Sequence, residues 1–259
     1  MQTKDNPRAP YIQSLDRGLE ILQLVGRSKR SISIAELADL LGIDRSSAFR
    51  FAVTLRRRGF LSCQPGKKDF LLGPSMWALA REYDWSKLLV DIAHPDLSLL
   101  ATQINETAHL AVREGKSVLF IDSAHASRVI AAVGRTGELH PLHCTAHGKA
   151  ILADADEGEL RALLGLSPLR KYTKNTITTI GALAENCAAI QEMGYAIDDS
   201  EHAEDLRCIA APIRFNNHVI GSIGISAPVS RLPDSLYSEY GEKVCVIANK
   251  IGGLLRNSE

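Results

Sequence analysis

The stretch ELHPLHCTAHGKA, residues 138–150, places His140, His143, Cys144 and His147 within eight positions of a 259-residue chain that has eight histidines and five cysteines in all. Imidazole and thiolate at short separations are zinc donors, four of them where the metal is structural. A thiol beside an imidazole is also the material of a nucleophile and its base. Each reading meets an obstacle. One stretch supplying four ligands needs a tight loop, yet Thr145 reads as the N-cap of a helix that claims part of it. His143 and Cys144 are chain neighbours, which rarely face each other, and no orienting third group accompanies them. That helix start suggests another use: the N–H groups of Ala146, His147 and Gly148 would be unpaired there, a ready site for a carboxylate. His140 and His143 could equally be satisfied or surface histidines.

The remaining chain decides what must position these groups. Its length suits two domains, and 45% hydrophobic with 23% charged residues is globular composition. No apolar run approaches the roughly 20 residues of a membrane span, and the N-terminus has no apolar signal core, so a cytoplasmic location is expected. The cysteines, at 63, 144, 187, 208 and 245, show no paired spacing and suit reduced thiols. The zero net charge hides an asymmetry. Residues 1–80 hold thirteen basic and seven acidic residues, the remainder seventeen and twenty-three. A basic front on an acidic back suggests that only the front meets a polyanion.

That front reads as three helices and a hairpin. In SLDRGLEILQLVGRS, Leu15, Leu19, Leu22 and Gly26 recur at helical spacing beside Ile21 and Val25, with Ser14 as N-cap. Ser33 and Glu36 form a capping box before Ile34, Leu37 and Leu41, and Gly42 ends that short helix. Asp44 then caps a third helix that Gly59 terminates. Two helices across a tight glycine turn make a helix-turn-helix. Ala48, Phe51, Ala52 and Leu55 face inward on the third helix. A recognition helix enters the major groove with its N-terminal half, so Arg45, Ser46, Ser47, Phe49 and Arg50 are the candidate DNA contacts. FLSCQ and DFLLG, joined by PGKK, form a hairpin with Lys67 and Lys68 at its tip. The arginines at 56–58 read equally as a solvated helix end.

A helix from Pro74 toward Pro95 should leave this domain, with the boundary near residue 85. Beyond it, TAHLAVREG, KSVLFIDSA, RVIAAVG, YAIDDS, RCIAAPIRF and HVIGSIGISA are strand-like. Helices fit 145–153, 157–164, about 179–193 and about 233–257. The mixture predicts an α+β domain around an antiparallel sheet.

The ordered set SLDRGLEILQLV, SIAELADLLGIDRSSAFRFAVTLRRRGFL, LHCTAHGKAILA, GYAIDDSEHAEDLRCIAAPI and IGISAPVSR resembles the IclR family of bacterial transcriptional regulators over almost the whole length. The resemblance implies a winged helix-turn-helix over 1–74, a linker helix over 75–90 and a GAF-like effector-binding domain over 91–259. It implies operator DNA and a small carboxylated metabolite as partners, assembly as a homodimer or dimer of dimers, no cofactor and no catalytic residue. By the same resemblance, Ala146, His147, Asp198, Cys208, Gly224 and Ser226 match effector-pocket positions. Two depart from the pattern: Gly224 replaces a frequent serine, and His147 a small or aliphatic residue. The loop FNNH is also one residue short. The competing expectations are a metal-sensing repressor with zinc at His140, His143, Cys144 and His147, and a cysteine-dependent hydrolase using Cys144 or Cys208.

Overall fold

The computed structural model describes residues 12–28, 30–63, 69–82, 85–125, 136–166 and 168–256, which form two compact units, Met1–Asp84 and Trp85–Glu259. The first unit opens with α1 (Gln13–Arg27), α2 (Ile34–Leu41) and α3 (Arg45–Arg57). At α2 the hydroxyl of Ser33 accepts from the Glu36 N–H while the Glu36 carboxylate accepts from the Ser33 N–H. Such a reciprocal cap is worth about 1 kcal/mol. Gly42 then turns the chain at φ 63°, a left-handed conformation that glycine adopts without steric penalty. The Asp44 carboxylate accepts from the Ser47 N–H to start α3. Strands β1 (Leu61–Cys63) and β2 (Phe70–Leu72) pair antiparallel, and Ile32 bonds Phe70 through both backbone groups, adding one rung.

Two expectations for α1 are corrected. Ile12 occupies the N-cap with no side-chain cap, and Ser14 lies inside the first turn. The buried positions are Ile21 and Val25, whereas Leu15 and Leu19 are exposed. The helix has more apolar positions than one face can bury, and Ile21 and Val25 are those that meet Leu37, Leu41, Ala52 and Phe70. Helix α4 (Pro74–Glu82) ends the described part of this unit, and Lys67 and Lys68 lie outside the described residues.

The second unit starts with α5 (Trp85–Ile104), which runs through Pro95 instead of stopping near it. The proline forfeits one backbone hydrogen bond, but Leu89, Ala93, Leu97, Leu100 and Ile104 are buried along the helix and hold it. Six strands follow: β3 (Thr107–Glu114), β4 (Ser117–Ala124), β5 (Leu139–Pro141), β6 (Ala196–Asp199), β7 (Leu206–Phe215) and β8 (His218–Pro228). They form one antiparallel sheet in the order β5-β4-β3-β8-β7-β6. The strand expected over 128–134 lies outside the described residues, and β5, within the histidine-rich stretch, was not foreseen. β7 and β8 are joined by Asn216 and Asn217, at φ 49° and 63°, a two-residue hairpin turn that asparagine tolerates well.

Alternation assigns the faces. Leu110, Ile209, Ile213, Ile223 and Ile225 pack with α5 and with α9 (Tyr237–Arg256). The intervening residues look to the other face, covered by α6 (Ala146–Ile151), α7 (Glu157–Leu164) and α8 (Ile180–Met193). Among the described residues, no helix is long and apolar enough to cross a membrane.

Candidate functional site

On that second face the register draws a row straight across three strands: Asp198 of β6 pairs with Cys208 of β7, which pairs with Ser226 of β8. The Cys208 thiol lies 3.1 Å from the Ser226 hydroxyl. One row further along come Ala196, Ala210 and Gly224. These small residues let α6 and the turn after it approach through Ala146, Ala150 and Ala153. A side chain at Gly224 would come within 2.3 Å of the Ile209 carbonyl oxygen, so the strand spacing itself demands glycine there.

Helix α6 begins as its sequence dictates. The Thr145 hydroxyl accepts from the Gly148 N–H and donates to the Pro141 carbonyl, and the Lys149 N–H bonds the Thr145 carbonyl. The N–H groups of Ala146 and His147 precede the first full turn and have no carbonyl behind them within the helix. Between this helix start and the row of strand residues lies a cavity of about 220 Å³. Ala146, His147, Asp198, Cys208 and Ser226 all line it; Gly224 does not. The glycine shares their face but sits under the packed helix.

Several lining residues were not singled out as pocket positions: His109 of β3, Phe120 of β4, His140 of β5, Thr145, His202 and Ala203 from the β6–β7 loop, and Leu206 at the start of β7. Alternation within TAHLAV puts His109 on the inner face. Nothing local marks Phe120 or His202. The rings make an aromatic wall. His109 stacks on Phe120 at 4.6 Å and 9°, His140 lies 4.6 Å from Phe120, and His202 lies 5.5 Å from His140. His147 meets Phe120 edge-on at 5.2 Å.

Burial sets the charge states. It pulls His109 down to about 3 and His147 well below the usual histidine value, and it lowers His140 and His202 as well. These imidazoles are neutral at pH 7. Burial also pushes the Asp198 carboxyl up to about 7, against the backbone N–H groups of Glu201 and His202 that its Oδ1 accepts. The nearby cation, Lys149, is itself buried and bonds Glu201.

The four residues of the opening cluster are dispersed. His140 faces the cavity from β5, whereas His143 lies 2.8 Å from the Arg170 carbonyl through Nε2. His147 Nδ1 lies 3.0 Å from the Ser222 hydroxyl. Cys144 is fully buried, and burial pushes its thiol up to about 12; Cys208 is raised further for the same reason. No group of three or more histidine, cysteine or acidic side chains able to hold a metal ion occurs among the described residues. Thiols held protonated in this way are poor nucleophiles.

In the first unit, Arg45, Ser46, Phe49 and Arg50 are exposed on α3, with Ser47 half-buried at its first turn, opposite the buried Ala48 and Ala52. The Arg50 guanidinium reaches the Ser47 hydroxyl at 3.5 Å. Phe49 remains 54% exposed, a large apolar ring that its own unit leaves uncovered.

Comparison with known proteins places this geometry in context. The family model "Bacterial transcriptional regulator IclR C-terminal" matches residues 85–252, and "IclR helix-turn-helix domain" matches residues 14–65. The transcriptional repressor IclR of Escherichia coli is 31% identical over 95% of this chain and 90% of its own length. The HTH-type transcriptional regulator BhcR of Paracoccus denitrificans is 32% identical over 93% of this chain and 86% of its own. The crystal structure of the Thermotoga maritima IclR superposes with a TM-score of 0.61 at 27% identity, covering 95% and 99% of the two chains.

Proposed function

Because the chain belongs to the IclR family, DNA-binding transcriptional regulators with an effector-binding C-terminal domain and not enzymes, we propose that its 220 Å³ cavity receives a small carboxylated metabolite. The observation that carries this reading is the cavity wall itself. Ala146 and His147, at the start of α6, line one side, and Asp198, Cys208 and Ser226 line it from the sheet. Oriented N–H donors at a helix start favour an anion without a lysine or arginine in contact. The site needs no cofactor.

The winged domain, residues 1–74, reads operator DNA as half of a homodimer, itself part of a dimer of dimers. Arg45, Ser46, Ser47, Phe49 and Arg50 enter the major groove, and Lys67 and Lys68 touch phosphate. The effector domain, 91–259, biases the spacing of the paired winged domains through the segment 75–90. A ligand can do this only by binding one arrangement better than the other. The protein acts in the cytoplasm.

Footprinting on its own promoter region, with native mass spectrometry of the freshly purified chain, tests the reading. The expected result is a protected palindrome, a dimeric or tetrameric mass, and release or tightening on addition of a small carboxylate. Protection that ignores every carboxylate, together with stoichiometric zinc lost in His143→Ala, would favour the metal-sensing alternative.

A further inference from the structure

Of the six phenylalanines, Phe49 is the exposed one among the described residues, whereas Phe51, two positions on, packs against the core of its unit. Single exposed apolar side chains are common on protein surfaces, so the neighbours decide what the ring can meet. On α3, Arg45 and Ser46 stand one turn before it, Arg50 follows it, and the half-buried Val53 lies one turn after it. The helix carries four arginines and no acidic residue, and the Asp44 carboxylate that precedes it is engaged with the Ser47 N–H. An apolar ring framed by cations and a hydroxyl complements a surface that is anionic at its rim and apolar at one point. The major groove of DNA is such a surface. Its base edges present hydrogen-bond donors and acceptors, and their one alkyl group is the C5 methyl of thymine. Against any other base edge, or a phosphate, the ring would take water from a polar group and return no hydrogen bond.

We propose that Phe49 is a specificity-determining residue whose ring covers a thymine C5 methyl in each operator half-site, while Arg45, Ser46 and Arg50 bond the polar groups around it. The proposal rests on the winged domain reading operator DNA, and adds the base that Phe49 selects. Its place in the N-terminal half of α3 is the part of a recognition helix that reaches base edges. Thymine is favoured there by the methyl it carries and not by a hydrogen bond. The contact therefore adds sequence preference without adding a phosphate contact, and leaves the salt dependence of binding unchanged.

The test uses the full chain and the tightest duplex that wild type selects from a random-sequence library. Each thymidine in turn is replaced by deoxyuridine, which removes the methyl and leaves every hydrogen-bonding group in place. One such replacement in each half-site should weaken wild-type binding about fourfold, equally at low and high salt. For Phe49→Ala the thymidine and deoxyuridine duplexes should bind alike, whereas Phe49→Leu should keep part of the difference. Arg50→Ala should bind more weakly overall and retain the ratio. Phe49→Gln repeats the measurement should Phe49→Ala fail to fold. A selected duplex that no deoxyuridine replacement weakens overturns the proposal, and so does a ratio that persists in Phe49→Ala or vanishes in Arg50→Ala. A ratio that persists while Phe49→Ala changes the native mass would give the ring to a protein contact instead. Selection of a sequence without methyl sensitivity sinks the proposal alone; if wild type enriches no sequence at all, the DNA-reading role of the winged domain fails with it.

Discussion

The ammonium of Lys149 in α6 bonds the carboxylate of Glu201 in the β6–β7 loop, and both side chains are buried. The same loop is held by the Asp198 carboxylate, which accepts the Glu201 N–H, and by Thr173 and Thr176, whose hydroxyls donate to the Glu201 carbonyl. It also carries His202 and Ala203 to the cavity. The pair therefore ties the helix whose start faces the cavity to the loop that closes its far side.

Removing one member of a buried ion pair strands the other. Lys149→Met should destabilise the protein by about 3–5 kcal/mol, and Lys149→Met with Glu201→Leu should recover most of that loss. A double-mutant cycle by denaturant unfolding measures the coupling. A cost for the double variant equal to the sum of the two single costs would show that the pair contributes nothing specific.

Stability should fall on acidification. His109 and His147 both have folded-state values lowered by burial, so below pH 6.5 the unfolded chain takes up protons that the native state refuses. Their contribution is complete above pH 6.5 and is lost as pH falls toward the folded values, about 3 for His109. At pH 5 the loss is roughly 2 kcal/mol for His109, and His147 acts in the same direction. Asp198 works in the opposite sense. Raised to about 7, it favours the native state below its unfolded value and loses that advantage as pH climbs through 7. Two imidazoles outweigh one carboxyl between pH 5 and 6.5, so thermal unfolding should shift upward across that window, and His109→Gln should flatten the rise. Asp198→Asn should raise the midpoint more at pH 8 than at pH 5.

Gly148 is required by contact. A Cβ there would lie 2.2 Å from the Leu142 carbonyl oxygen and 2.5 Å from its Cα, both backbone atoms that cannot swing aside. Gly148→Ala should cost about 1–3 kcal/mol and, by moving α6, should weaken ligand binding in the adjoining cavity. Unfolding and titration on the same variant measure both, and an unchanged variant would mean that α6 tolerates the shift.

Arg50 is exposed on α3 and pairs only loosely with Ser47. Arg50→Ala should leave folding unaltered and cost roughly 1–3 kcal/mol of operator affinity, with relaxed preference at one base pair. Binding to a panel of single-base operator variants reads this directly. A uniform loss across the panel would reassign the side chain to phosphate.

Local signals carried much of the molecule into view. The capping box at Ser33 and Glu36, the Gly42 turn and the Asp44 cap are chemistry between residues three or four apart, so the helix-turn-helix is written in consecutive positions. The period-two pattern of β3, β7 and β8 likewise assigns Ala146's neighbours Cys208 and Ser226 to the inner face without reference to anything distant. Tertiary packing decided the rest. Leu15 and Leu19 were as apolar as Ile21 and Val25, and only the position of α2 and α3 selected which pair to bury. Pro95 should have ended a helix, but burial along α5 overrode one missing hydrogen bond. The histidines of 138–150 could not be sorted by spacing. His140 joined a strand edge, His143 met a carbonyl 27 residues away, and His147 found Ser222 across 75 residues. Sheet register fixes where His140 and Ser222 stand, and the packing of a distant segment supplies Arg170, so no window of sequence around 140–147 contains these partners.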